Sequence, residues 1–443
     1  MKKTIQLKSF FVLFLSLSLM LLPFNITSAY ASVDYSNESD SDVVTDDTYI
    51  NTDDSTSLMS LDSTNNYPIF LVHGLFGWGN TEVFGINYWG GTSSLRDMLI
   101  NQGYTVYTPT IGPISSNWDR ACELYAYIVG GTVDYGQAHS DKYGHARYGR
   151  TYDGVYPQLS DTNKIHLLGH SMGGQTSRLL AQLLENGDAD EINATGDETN
   201  SLFKGGQYCI ETITTLATPH DGSQCDELTD QLEPSFHNLF TYLASITGSS
   251  ASQSGLDFQM DQWGLKQEDG ESYEDYSKRV LESNLWYNTT DLSIYDLSLE
   301  GAKDFNSKVS TQDDIYYFSI ACSDTHRNLF TGFQIPNINM NPIMYNTSRV
   351  MGSYLQYLPG KVRVTREWWK NDGIVSVRSA IAPHEGSSDI YKDYDGTAIK
   401  GTWNYLGEIK NVDHIEVVGQ FQPIYRGILQ NTFSNIAKFI TFL

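Results

Sequence analysis

Gly169-His170-Ser171-Met172-Gly173 follows the apolar run Ile165-His166-Leu167-Leu168 and opens a helix-forming stretch from Gln175 to Glu185. A strand, a sharp turn carrying serine and a helix make the G-x-S-x-G elbow. Glycine two residues to either side is a steric demand, because a turn this tight leaves no room there for side chains. The helix start then sets backbone N–H groups and the positive end of its dipole beside the serine, where a developing oxyanion would be stabilised. A string this short also occurs in exposed Gly/Ser turns. The strand before it and the helix after it favour the elbow, and with it an α/β class: a mostly parallel central sheet with helices on both faces.

The rest of the chain bounds what such a domain can be. Lys2, Lys3 and Lys8 precede an apolar stretch from Phe10 to Leu22, and Ala29-Tyr30-Ala31 reads as a small-x-small cleavage site. Residues 1–31 are therefore expected to be a signal peptide, and the protein to be secreted and extracellular. That stretch is short for a bilayer and no later segment approaches spanning length. Residues 32–66 hold nine acids and no Lys or Arg, the composition of an acidic disordered linker or pro-segment. Residues 67–443 are expected to form one domain. Loss of the three signal lysines takes the formal charge from −25 to −28, which disfavours nucleic acid and anionic membrane surfaces. The four cysteines match no zinc motif; Cys122 reads as a buried thiol, and a bridge among Cys209, Cys225 and Cys322 is left open.

In an α/β-hydrolase order the acid and then the histidine follow the serine. Of His326, His384 and His414, the last stands before a final helical stretch, where a loop after the last strand would deliver a base; His384 reads as a surface loop residue. For the acid, Asp372 lies in a turn between Trp368-Trp369 and an apolar segment, whereas Asp389, Asp393 and Asp395 read as solvated charges. Pro68 to Val72 reads as an early strand, and His73-Gly74-Leu75 follows it. The oxyanion donors are accordingly assigned to the backbone amides of Leu75 and Met172.

From about residue 67 to about residue 420 the chain resembles the secreted triacylglycerol lipases of staphylococci and thermophilic bacilli. The likeness is carried by Val72-His73-Gly74, Gly77-Trp78-Gly79, Tyr88-Trp89-Gly90-Gly91, the run from Gly112 to Glu123, the run from Val129 to Gly136, Ala217-Thr218-Pro219-His220-Asp221-Gly222 and Asp261-Gln262-Trp263-Gly264-Leu265. The resemblance implies a triad at Ser171, Asp372 and His414. Met172 and Leu75 stand where members often carry Gln and Phe. It further implies a structural zinc ion held by Asp119, His139, His145 and Asp291, two imidazoles and two carboxylates suiting tetrahedral zinc. Read without the family, those histidines are surface residues of a Tyr/Gly-rich loop. A calcium ion is implied at Glu416 and the Asn339 carbonyl, but the family's Asp-Pro pair falls at Gln422-Pro423, so a weakened site is expected; otherwise Glu416 is a surface acid. Between Cys225 and Thr247, Leu232, Phe236, Leu239, Phe240, Leu243 and Ile246 recur at helical spacing. That pattern alone reads as a core helix; the resemblance implies a lid whose apolar face turns outward at an oil–water interface.

These expectations converge on a serine hydrolase that cleaves long-chain acylglycerol esters through an acyl-enzyme. An esterase or phospholipase is the alternative within the same chemistry, and a non-catalytic exported binding protein the alternative outside it. The sequence leaves the oligomeric state open.

Overall fold

The computed structural model describes residues 65–79, 86–225, 257–420 and 426–443. The signal segment, nearly all of the acidic linker, the expected lid helix and Gln422-Pro423 lie outside the described residues.

Eleven strands are found among the described residues: β1 (Ile69–Val72), β2 (Val106–Tyr107), β3 (Gly131–Asp134), β4 (Tyr148–Tyr152), β5 (Ile165–His170), β6 (Ile210–Leu216), β7 (Tyr316–Ser323), β8 (Thr325–Arg327), β9 (Gln334–Pro336), β10 (Tyr391–Asp393) and β11 (Trp403–Lys410). Seven form one sheet in the order β2-β1-β5-β6-β7-β11-β10, and each neighbouring pair runs parallel. β3 pairs with β4, and β8 with β9, as small antiparallel ribbons outside this sheet.

The strand sequences explain the layering. All four residues of β1 and all six of β5 are buried, as parallel strands covered on both faces require. Side chains alternate between two cores. Ile69, Leu71, Leu168, Phe318 and Ile320 join one cluster, while Phe70, Val72, Leu167 and Tyr317 join the other. The second cluster is closed by helices α1 (Asn117–Val129) and α3 (Met172–Asn186), the first by α4 (Arg426–Phe442) through Phe433, Ile436, Ala437 and Ile440. A shorter helix, α2 (Gln137–Tyr143), follows β3.

Three loops leave the carboxyl ends of β1, β5 and β11, the edge where open parallel sheets place their ligand sites. Two of these strands are direct neighbours. In their register Val72 lies opposite Gly169, which sets the residues after β1 beside the turn after β5.

Cys122, Cys209, Cys225 and Cys322 are all buried, and no disulfide joins any two of them. Asp389 is not a solvated charge. Its Oδ1 accepts from the Thr311 amide and its Oδ2 from Trp403 Nε1, which anchors the loop before β10. His384 is half-buried rather than a free surface residue, with its ring against Tyr391 and its amide donating to Asp221 Oδ1.

Candidate active site and metal cluster

Ser171 sits between β5 and α3 with φ 54° and ψ −131°, a backbone conformation that L-residues sparsely populate and that the surroundings must hold in place. The glycines show how tight the turn is. A Cβ at Gly169 would meet the Gly173 carbonyl group and the Gly174 amide, and one at Gly173 would overlap the Val72 carbonyl oxygen. Thr218 Oγ1 donates to the Ser171 carbonyl at 2.8 Å, and Gln175 Nε2 to the Pro219 carbonyl at 2.9 Å. The turn after β6 thus pins the elbow.

Asp372 and His414 meet twice. His414 Nδ1 lies 2.7 Å from Asp372 Oδ2, and the His414 amide donates to the Asp372 carbonyl at 2.9 Å. Asp372 is fully buried, and its second oxygen accepts the amides of Val375 (2.8 Å) and Ile374 (3.2 Å). A carboxylate held so firmly accepts from Nδ1–H and leaves His414 Nε2 as the basic nitrogen.

A buried chain links this pair to the elbow and the loop after β1. The Gly74 amide donates to Tyr88 Oη (2.9 Å), Tyr88 Oη lies 2.6 Å from His170 Nδ1, and His170 Nε2 lies 3.0 Å from the His414 carbonyl. A carbonyl only accepts, so His170 carries its proton on Nε2 and accepts a hydrogen bond from the Tyr88 hydroxyl at Nδ1. Burial keeps His170 neutral, its pKa held far below the ordinary range. The rings of His170 and His414 lie 4.7 Å apart. Tyr88 and His170 had no assigned role in the sequence; their signals were the Tyr88-Trp89-Gly90-Gly91 block and the elbow itself.

The loop after β1 approaches the serine closely: a Cβ at Gly74 would lie 2.6 Å from Ser171 Cβ and 3.1 Å from its Oγ. Arg120, fully buried on α1, braces this loop. It donates to the carbonyls of His73 (2.5 Å) and Gly112 (2.7 Å) and to Thr176 Oγ1 on α3 (3.0 Å). Burial pulls its pKa down to about 10, so it stays cationic at neutral pH. Among the described residues, neither the Leu75 nor the Met172 amide donates a hydrogen bond. Two N–H groups next to the serine thus have no acceptor among the described residues.

A second cluster joins Asp119 on α1, His139 on α2, His145 after it and Asp291. His139 Nε2 lies 3.1 Å from Asp291 Oδ2 and 3.5 Å from Asp119 Oδ1, and His145 Nε2 lies 3.2 Å from Asp291 Oδ2. His139 stands on a helix rather than in the loop expected of it. His145 Nδ1 donates to the Ala146 carbonyl at 2.9 Å, which turns the Nε2 lone pair toward the acids. That nitrogen and Asp119 Oδ1 are buried without a hydrogen-bond partner. A lone pair facing two carboxylates needs a proton or a metal cation between them, so the donor set fits a cation. Trp118 stacks on His139 and Trp263 packs at a tilt against His145, each with ring centroids 4.8 Å apart, so that both indoles cover the cluster.

A third group consists of Asp324, Asp413 and Glu416, all buried. Glu416 is thus not a surface acid. Its companions Asp324 and Asp413 escaped sequence reasoning, because only the adjacency of β7 and β11 brings them together. Asp413 accepts the amides of Asn341, Ile415 and Glu416, and burial with Glu416 beside it raises its pKa to about 7. Asp324 Oδ2 has no hydrogen-bond partner. Asn339 lies exposed in the turn between Asn337, which donates to Asp324, and Asn341.

Residues 65–440 match the family model described as lipase-like, C-terminal domain. The chain belongs to this family. It is 40% identical over 364 residues to Lipase 1 of Staphylococcus aureus, covering 80% of this chain and 51% of that one. It is 39% identical over 361 residues to the lipase of Staphylococcus hyicus, covering 80% and 54%. The chain therefore spans about half the length of these relatives. Among solved structures it is similar to EstA from Clostridium botulinum, with a TM-score of 0.80 at 45% identity, covering 86% of this chain and 89% of that one. The Staphylococcus hyicus lipase structure gives a TM-score of 0.71 at 36% identity, covering 86% and 96%. Together with the parallel sheet and its serine elbow, these matches make the fold that of an α/β-hydrolase.

Proposed function

We propose that the chain is a secreted serine hydrolase that cleaves carboxylic esters of long-chain acylglycerols. The observation that carries the chemistry is the geometry at the sheet edge: a serine on a strained elbow, a histidine tied to a buried acid through Nδ1, and two amides flanking the serine that have no acceptor among the described residues.

His414 Nε2 takes the Ser171 hydroxyl proton as Oγ attacks the ester carbonyl. The Leu75 and Met172 amides donate hydrogen bonds to the carbonyl oxygen as negative charge develops on it. The departing alcohol takes the proton from His414, leaving the acyl group on Ser171 Oγ. Water then attacks this ester, gives its proton to His414, and Ser171 regains it as the fatty acid leaves. Asp372 holds the imidazole in one tautomer and balances its positive charge throughout. The lipid substrate is read from the relatives, which are named lipases.

Asp119, His139, His145 and Asp291 would hold a zinc ion, tying α1, α2 and the segment bearing Asp291 together. Four protein ligands leave no open position, so the role assigned to this ion is structural. Asp324, Asp413 and Glu416 would hold calcium weakly. Three carboxylates fall short of the six to eight oxygens calcium takes, and Asp413 already spends both its oxygens on backbone amides. Residues 1–31 would direct export. No helix among the described residues is long and apolar enough to cross a membrane.

Emulsified triolein and a soluble short-chain ester, compared on the purified chain, test the substrate reading. The proposal expects faster turnover on the emulsion once the interface forms. A chain active on the soluble ester alone would replace lipase with esterase.

A further inference from the structure

The three most exposed large apolar side chains of the described residues lie on or beside the first of two adjoining hairpins near the active-site edge. The first is formed by β8 and β9, and its tip carries Leu329 and Phe330, 93% and 99% exposed. Ile338, 94% exposed, follows β9. The second is closed by the Gln356–Val364 pair around a Pro359-Gly360 turn and carries Tyr357 and Leu358. The hairpins share a base: Phe333 packs edge-on against Trp369 at 5.3 Å, and Trp369 Nε1 donates to the Tyr354 carbonyl at 2.7 Å. The Gln334 amide also donates to the Gly352 carbonyl at 2.9 Å.

The charge of this region is opposite to that of the whole. The chain carries a formal −25, yet residues 325–366 contain five cations (Arg327, Arg349, Lys361, Arg363 and Arg366) and no acid. All five are exposed. Arg363 lies over the Tyr357 ring at 5.0 Å and Arg366 over Trp369 at 5.5 Å, so the guanidinium groups border the apolar surface. The next residue, Glu367, faces Arg378 at 3.7 Å. At physiological ionic strength charges beyond roughly 8 Å are screened, so a surface touching this face meets its cations rather than the net charge.

We propose that the two hairpins form a docking face for a lipid surface bearing anionic headgroups. Leu329 and Phe330 enter the acyl boundary, and the arginines meet phosphate or carboxylate groups. The face is fixed relative to the active site. Thr325 Oγ1 accepts the Asn371 amide, and the Asp324 amide donates to the Asn371 carbonyl, one residue before Asp372. Docking would present the serine edge to the lipid that supplies its substrate. This extends the proposed lipid reading, and because vesicle binding is measured without turnover, either can fail alone.

The test is co-sedimentation of the full chain with vesicles of phosphatidylcholine alone or mixed with phosphatidylglycerol. Binding to the mixed vesicles is expected to exceed binding to the zwitterionic ones and to weaken with salt. Leu329→Ser with Phe330→Ser, and separately Arg327→Glu with Arg363→Glu, should each lower partition roughly tenfold or more. Hydrolysis of a soluble short-chain ester should stay within about twofold. Vesicle binding unchanged in both variants, or none by the parent chain, would overturn the proposal. So would a parent dimer in sedimentation analysis that these substitutions disperse, since a second copy would then occupy the face.

Discussion

Ser171 carries backbone strain that nothing in its own side chain explains; the strain is held by neighbours. A φ of 54° at a non-glycine residue costs on the order of 1–3 kcal/mol. It is offset by Thr218, Gln175 and the packing of Gly173 against β1. The residue pattern revealed this much, since the glycine spacing is a steric signature. The same scale shows what a single substitution should do at the acid. Asp372→Asn keeps an oxygen for the amides of Ile374 and Val375 but turns an NH2 group toward His414 Nδ1. The imidazole then favours the wrong tautomer, so kcat should fall about 10⁴-fold with KM and melting temperature little changed. Steady-state kinetics beside a melting curve check this. A loss of stability that parallels the loss of kcat would assign Asp372 to packing alone. Asp372 itself was readable as a turn acid between aromatic and apolar segments. Its burial was not, because composition carries no information on what covers a turn.

Elements decide the metal cluster. Asp119 and His139 are presented by α1 and α2, and Asp291 arrives from far along the chain. Two histidines near Tyr and Gly gave no reason by themselves to expect a helix carrying one of them, and the ligand set was legible only through family likeness. The acids of the third group show the opposite limit: Asp324 and Asp413 follow β7 and β11, whose pairing joins residues almost ninety positions apart. If a cation ties α1 and α2 to Asp291, removing it should loosen these elements before the sheet. Treatment with a strong chelator is expected to lower the melting temperature, and restored zinc to raise it again by an amount that grows with zinc concentration, as linkage requires. Turnover of a soluble ester at low temperature should persist. Complete loss of turnover with the fold intact, checked by circular dichroism, would contradict a structural role.

Across the whole molecule, the parallel sheet places four neutral histidines in its interior. Burial lowers the pKa of His73 and His166 to about 3, and of His170 and His220 far below the ordinary range. In the unfolded chain these imidazoles titrate near 6.5. Below that pH the unfolded state binds protons that the folded state refuses, so stability falls as pH drops from about 6.5 toward 3. His139 and His145, raised by their acid neighbours, work in the other direction unless a metal holds them deprotonated. Buried acids raised to about 7 or 8, Glu123, Asp221, Asp296 and Asp413, take up protons in the fold and oppose the loss from the four histidines. The histidine share is therefore read by comparing the slope of melting temperature against pH, between about pH 5 and about pH 7.5, in metal-loaded parent and variant. His166→Gln, distant from serine and metal cluster alike, should reduce that slope; an unchanged slope would mean that His166 is protonated in the fold. The global architecture was legible from one strand–turn–helix and the order of its partners, because a parallel sheet forces catalytic loops to one edge. The central claim is that this edge brings Ser171, Asp372 and His414 to act on one ester. Intact-mass analysis after treatment with a fluorophosphonate tests it most directly. A single adduct on the peptide containing Ser171, absent in Ser171→Ala and much slower to form in His414→Ala, is the expected result. Labelling at another residue, or at equal rate without His414, would contradict the account.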